Sequence, residues 1–251
     1  VGLCVLLAAL RERFATFNAE GTATAFATVL TLATLCLVVP RFTSSTSGPD
    51  FSATQLAFAA IASLSLYAMF ILVLTVRHRE YFLPHGDAAM AMDAHVDPPS
   101  DRSTLRSLVF LVVSLVAVVG LAKVESPAIE DAVGALDAPA SAVGVVIALL
   151  VLLPESLAAA RNARAGRVQT SFNLAFGSAL ASIGLTIPAI AIASIWLDGD
   201  LVLGLGTTQI VLLALTAVVG CLTILPGRAT IQEGGVHLVI FAAFVFLAIR
   251  P

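Results

Sequence analysis

LLVLLPESLAAARNARAGRVQTSFNLAFGSALASIGLTIP, residues 149–188, decides the fold. An uncharged run leads into Pro154 and Glu155. A short basic segment, RNARAGR at 161–167, follows, and a second long apolar run begins at Thr170. The runs on either side, 139–160 and 170–196, each reach the ~20 residues a helix needs to cross a hydrocarbon core. Two such runs joined by a few arginines read as a pair of antiparallel transmembrane helices with their turn on one side of the bilayer.

Working outward, the same pattern recurs at 21–40, 54–76, 105–122, 201–225 and 234–249. Residues 1–10, VGLCVLLAAL, are apolar but too short to span. With no basic residue before Arg11 they do not read as a signal peptide, and we take them as the tail of a helix that begins outside this sequence, which makes eight helical segments and implies N-terminal truncation. Strands of a β-barrel would be ~10 residues long with alternating polarity, whereas these runs are long and uniformly apolar. Composition agrees. Of 251 residues, 59% are hydrophobic and 12% charged, about half the ~25% of a soluble domain, and mean hydropathy is +1.02. The expected fold class is therefore an all-α polytopic transmembrane bundle. Soluble enzymes and nucleic-acid binders are disfavoured, and the lipid bilayer is the first partner. Cys4, Cys36 and Cys221 sit in apolar runs without metal or disulfide spacing.

Basic residues set the orientation. Alternate connections collect Arg11, Arg13, Arg77, Arg79, Arg102, Arg106, Arg161, Arg164, Arg167 and Arg228 on one side, and only Arg41, Lys123 and Arg250 on the other. The first side is read as cytoplasmic, so the C-terminus faces outward. Glu125, Glu130, Asp131 and Asp137 fall in one outer loop and Asp198 and Asp200 in another, with Trp196 at an interface. The longest connection, 80–101, holds five acidic residues, two histidines and no Lys or Arg. It is the one natural boundary. The segments ending LCLVVP at Pro40 and CLTILP at Pro226 resemble each other, and each precedes another span. That faint likeness suits two five-helix repeats of opposite orientation, an arrangement found in transporters.

Glu155 carries most of the chemical interest. A carboxylate inside the hydrocarbon costs roughly 2.5–3.5 kcal/mol on insertion scales, so it normally has a task or a partner. Pro154 removes the bond to the Leu150 carbonyl, and a freed carbonyl beside a carboxylate offers oxygens suited to a hard cation. The plainer reading is interfacial: Glu155 lies ~22 Å along a helix counted from Ala140, with Arg161 only ~9 Å beyond. Its neighbours one turn on, Ala158 and Ala159, offer no basic group but leave room for another helix.

On the following helix, Ser171, Ala175, Ser178, Ser182 and Thr186 share a face by three-and-four spacing. Close helix packing and a polar site explain that face equally well. Asn173 demands hydrogen-bond partners that packing alone does not supply, and Pro188 is expected to kink the outer half. His85, Asp87, Asp93, His95 and Asp97 match no metal spacing, and a solvated acidic loop is the simpler reading, with a cytosolic pH or cation sensor as the other. His237 reads as packed or interfacial. No Walker, GxGxxG, GxSxG or HExxH pattern occurs, so nothing here points to an enzyme or to ATP-driven transport.

Several of these elements together resemble the calcium/cation–proton antiporter family, particularly its bacterial ChaA-type branch. They are Pro154-Glu155-Ser156, Arg161-Asn162-Ala163-Arg164, Gln169-Thr170-Ser171, Asn173, the run from Gly177 to Pro188 and the closing segment 237–243. The resemblance implies an inverted-repeat cation/proton exchanger fold. Residues 1–79 would be the last three helices of a first repeat, 80–104 an acidic cytoplasmic loop, and 105–251 a second five-helix repeat. It makes Glu155 the ion- and proton-binding carboxylate of the second repeat, beside a helix break at Pro154. Asn173 and Ser178 become candidate ligands, with Ser182 and Gln169 in support. The first-repeat glutamate is expected outside this sequence. Leu152 and Ala181 stand where calcium exchangers typically carry Asn and Gln, which leaves Na⁺ and K⁺ beside Ca²⁺ as the cargo.

The function this implies is secondary cation/proton antiport by alternating access in a bacterial inner membrane, with no cofactor beyond the transported cation and H⁺. A passive cation pathway, a membrane scaffold, or an inactive truncated form of the antiporter are the alternatives. No oligomeric state follows from the sequence.

Overall fold

The computed structural model describes residues 1–44, 48–83, 100–134, 140–196 and 202–250. Among them are eight α-helices: α1 Gly2–Arg11, α2 Ala19–Ala33, α3 Ala53–Leu72, α4 Asp101–Gly134, α5 Ala140–Arg164, α6 Val168–Ala193, α7 Thr207–Ile224 and α8 Ile231–Ile249. Seven segments are long and apolar enough to cross a membrane, α2 and α3 counting together with their continuations to Phe42 and Arg77. They coincide with the seven spans read from the sequence, and the fold is an all-α polytopic bundle. The acidic connection, with His85, Asp87, Asp93, His95 and Asp97, lies almost wholly outside the described residues.

Local chemistry sets the helix starts. The Asn18 side chain accepts from Gly21 N at 2.9 Å and caps α2. Ser52 and Gln55 form a reciprocal capping box on α3, and before α8 the Glu233 carboxylate accepts from both Thr230 N at 2.6 Å and the Thr230 hydroxyl at 2.9 Å. Both α2 and α3 end in a wide π turn, Thr34–Val38 and Val73–Arg77.

Three expectations are corrected. The helix break at Pro154 is absent, because α5 runs through that proline to Arg164. One proline removes one main-chain bond and bends a helix more readily than it ends one, since adjacent turns keep theirs. The outer acidic loop is shorter than read: α4 continues through Pro127 to Gly134. Conversely, the span at 201–225 becomes helical only at Thr207. Before it, Gly204 N donates to Pro49 O at 2.9 Å and Leu205 N to Leu37 O at 2.8 Å. Those bonds hold the segment against the connection that follows α2, and a Cβ on Gly204 would crowd Pro49 at 2.8 Å.

The described residues divide into two compact units. One takes those within Val1–Ala88 and Pro154–Ala242, and α6 is its centre, packing on α1, α2 and α3. The buried face of α6 carries Phe172, Phe176, Leu180, Gly184 and Ile187, a 3.6-residue stripe. Phe172, fully buried, lies 4.8 Å from Phe17 and 6.0 Å from Phe176 between ring centres. Gly184 admits Tyr67, whose Cβ would lie 2.9 Å from any added Cβ, and Gly220 likewise faces the Phe26 ring. A second cluster joins Cys36, Leu56, Ala59 and Ile187.

Two-residue strands, β1 Ala15–Thr16 and β2 Arg228–Ala229, pair antiparallel, a contact too short to show any sequence period. Arg11 Nη1 donates to Arg164 O at 2.7 Å. These bonds gather at one end the connections after α1, α5 and α7, which the arginine count also puts on one side.

The other unit takes the described residues within Ala89–Leu153 and Ala243–Pro251. Val109, Phe110 and Leu111, at successive positions of α4, are exposed.

Candidate functional site

The α5–α6 hairpin is built around a tight turn. Gly166 takes φ 78°, the left-handed conformation that glycine adopts without a Cβ penalty. Arg167 N donates back to Asn162 O at 2.9 Å. Beyond the turn, the fully buried Ser171 hydroxyl donates to Ala159 O on α5 at 2.7 Å. Ala159 and Ala163 are small and buried, so the two helices approach closely.

One turn before Ala159 stands Glu155, half-buried. Ser178, two turns beyond Ser171, donates its hydroxyl to Glu155 Oε1 at 3.3 Å. The only ion pair among the described residues is His78–Glu80 at 3.5 Å, so no arginine or lysine among them pairs with Glu155. Also among these residues, no three His, Cys, Asp or Glu side chains come together as a metal cluster. A cation at Glu155 would meet one carboxylate and neutral oxygens, the Ser178 hydroxyl first among them. Pro154, without an N–H, leaves the Leu150 carbonyl short of its helical donor.

The remaining site candidates go elsewhere. Asn173 Nδ2 donates to Phe82 O at 2.6 Å, and its Oδ1 accepts from Gln169 Nε2 at 3.0 Å. Gln169, buried, accepts from Asn18 N at 2.7 Å and reaches Thr22 Oγ1 at 3.5 Å. Together these amides tie the start of α6 to α2 and to the Arg79–Phe82 turn that follows α3. The structure thus brings Ser178 to Glu155 and holds Asn173 with Gln169 in a separate bracket. Ser182 is exposed. Thr22, Asn18 and the Ser171–Ala159 bond were not singled out by sequence reasoning. The Asn18 cap shows in the sequence as Asn before a helix, but nothing local marks the partners 151 residues away.

His237 is packed: its Nε2 lies 3.1 Å from Thr223 Oγ1. Thr223 gives its only hydroxyl proton to Val219 O at 2.9 Å, so the ring Nε2 is the donor of that pair.

Replacing Gln169 by Leu would leave the Asn18 N–H and the Asn173 amide without this partner. Each polar group stranded in this way costs about 1–3 kcal/mol. The expected result is a clear fall in the unfolding midpoint in mild detergent, with Gln169→Glu, which keeps an acceptor for Asn18, falling less. Equal midpoints for Gln169→Leu and the parent would show that the bracket contributes nothing.

Residues 106–250, from the first turns of α4 through α5 and α6 to α8, match the sodium/calcium exchanger protein family. The chain belongs to the sodium/calcium exchanger family. Similar proteins agree. Over all 251 residues it is 43% identical to y4hA of Sinorhizobium fredii (strain NBRC 101917 / NGR234), whose name assigns it as an ionic transporter. Over 218 residues, 86% of the chain, it is 31% identical to the sodium-potassium/proton antiporter ChaA of Escherichia coli (strain K12). The chain spans 68% of the length of the first and 60% of the second. With seven helices among the described residues long and apolar enough to cross a membrane, this member of the exchanger family is a multi-pass membrane protein, and the α5–α6 hairpin with Glu155 lies inside the matched region.

Proposed function

We propose that this chain forms part of a secondary cation/proton antiporter in which Glu155 holds either a proton or a cation. The observation that carries the reading is the Glu155–Ser178 pair across the α5–α6 hairpin, free of a basic partner among the described residues. An apolar surrounding disfavours an ionised carboxylic acid and a bound cation favours it, so proton and cation compete for one group. Movement of the helices between two arrangements, each open to one side, turns that competition into exchange without ATP.

Na⁺ and K⁺ are the cargo we favour, with Ca²⁺ third. The relative in Escherichia coli is named for sodium, potassium and proton, and Leu152 and Ala181 provide no amide oxygens for a divalent ion. We place the arginine-rich end, with the acidic connection, in the cytoplasm of a bacterium and the C-terminus outside.

The test uses the full reading frame in inverted membrane vesicles with an established proton gradient and a pH-sensitive dye. Na⁺, K⁺ and Ca²⁺ are added separately. Dissipation by a cation identifies both antiport and cargo. If none of them collapses the gradient while insertion is verified, the antiport reading fails and the scaffold reading takes its place. A cation flux indifferent to the pH gradient would mark a passive pathway.

Ser178→Ala removes one neutral ligand and leaves the carboxylate. We expect a KM for the cation raised several-fold with proton coupling intact, read as the cation concentration giving half-maximal dye response. An unchanged KM would remove Ser178 from the site.

A further inference from the structure

The ends of α2 and α3 remote from the α5–α6 turn enclose a groove of about 230 Å³. Its floor is Leu35, Phe51 and Ala59, all part of the second apolar cluster with Cys36 and Ile187. Val39 and Phe58, both exposed, form the walls. Polarity changes along the groove. Thr43, Thr54 and Gln55 stand at the end nearest the α2–α3 connection, while Leu35, Phe58 and Ala59 line the rest with apolar side chains.

Arg41 lies between Val39 and Thr43 in the chain. It is exposed and forms no ion pair among the described residues. A guanidinium suits phosphate oxygens, which it can meet with two parallel N–H donors. We infer that this groove is a binding site for an anionic glycerophospholipid of the adjoining leaflet, one acyl chain lying in the apolar end and the headgroup phosphate held by Arg41.

Size selects this occupant. The volume lies below the ~300–1,000 Å³ of pockets for drug-sized ligands, and a helix, ~10 Å across, does not enter it. A single hydrocarbon chain does. The ordering of groups, cation and threonines at the membrane surface and hydrocarbon beneath, matches a phospholipid standing in its own leaflet.

The test places the photoreactive residue benzoylphenylalanine at position 58 of the full reading frame, and in a separate variant at Phe110 on α4, an exposed position far from the groove in sequence. Both are reconstituted in vesicles of phosphatidylglycerol and phosphatidylcholine at equal amounts, illuminated, and the lipid adducts weighed by mass spectrometry. At position 58 we expect phosphatidylglycerol adducts about fivefold over phosphatidylcholine, the discrimination one cation near an anionic surface provides. At 110 the adducts should follow the mixing ratio, and Arg41→Gln should return position 58 to it. Equal adducts at 58, or a preference that survives Arg41→Gln, overturns the assignment. Adducts to protein alone at 58 also overturn it and show that another segment or a second copy covers the groove. If the variant at 58 does not fold, the label at Phe51, on the groove floor, reads the same outcomes.

Discussion

Glu155→Gln is expected to reduce proton-coupled cation movement to the level of vesicles without the protein, while insertion and unfolding midpoint stay close to those of the parent. The reason is chemical and narrow. Glutamine has the shape of glutamate and retains a carbonyl oxygen for the Ser178 hydroxyl, which now lies 3.3 Å from Glu155 Oε1. What disappears is the ability to exist in two protonation states. A carrier that trades one proton for one cation on a single group cannot work when that group never ionises. Glu155→Asp provides the control. It keeps the charge but draws it back by one methylene, so exchange should persist with a weaker cation response. The measurement is the dye recovery in inverted vesicles after each cation is added. Undiminished exchange by Glu155→Gln would sink the assignment of this residue. The same loss in both variants would assign the effect to side-chain length instead of ionisation.

Phe172→Ala is the largest stability effect we expect. Phe172 is fully buried, lies tilted against Phe17 at 4.8 Å between ring centres and meets Phe176 edge-on at 6.0 Å. Truncating a buried phenylalanine in a soluble core costs about 3–5 kcal/mol, from lost transfer and from the cavity left behind. Between membrane helices the transfer part shrinks, because separated helices still meet hydrocarbon, whereas the lost packing contacts remain. About 3 kcal/mol is therefore the expected fall, measured by reversible denaturation in mixed micelles. Phe172→Leu should lose roughly 1 kcal/mol, since most of the volume stays filled. A fall well under 1 kcal/mol for the alanine variant would mean that α1, α2 and α6 close over the gap without loss.

Much of the fold is legible in the chain because membrane segments obey a coarse rule. A hydrocarbon core admits no unpaired backbone, so long apolar runs become helices wherever they occur. The spans at 21–40, 54–76 and 170–196 appear in the structure as read. The reading failed where a local signal competed with its context. Pro154 looked like a break and is carried inside a helix, as is Pro127. The start of the span read at 201–225 is non-helical over 202–206, where Gly204 and Leu205 bond to Pro49 and Leu37. For the candidate site, the carboxylate stood out, since charge is rare in such runs. The roles of the amides did not. Asn173 and Ser178 are five residues apart on one helix and both polar, yet one turns to Phe82 and Gln169 and the other to Glu155.

By itself, then, the sequence determined the helices, their number, the end at which the arginines gather, and the presence of one unusual acid. All of these follow from hydropathy and charge, which are properties of residues taken singly or in short windows. Only the tertiary structure decided which side chains meet. Gln169 finds Asn18 across 151 positions, Ser171 closes on Ala159, and Ser178 is the hydroxyl that faces Glu155. Those choices depend on helix rotation and register. In an apolar bundle these are set by the fit of small and large side chains between neighbours, which no periodicity along one helix records.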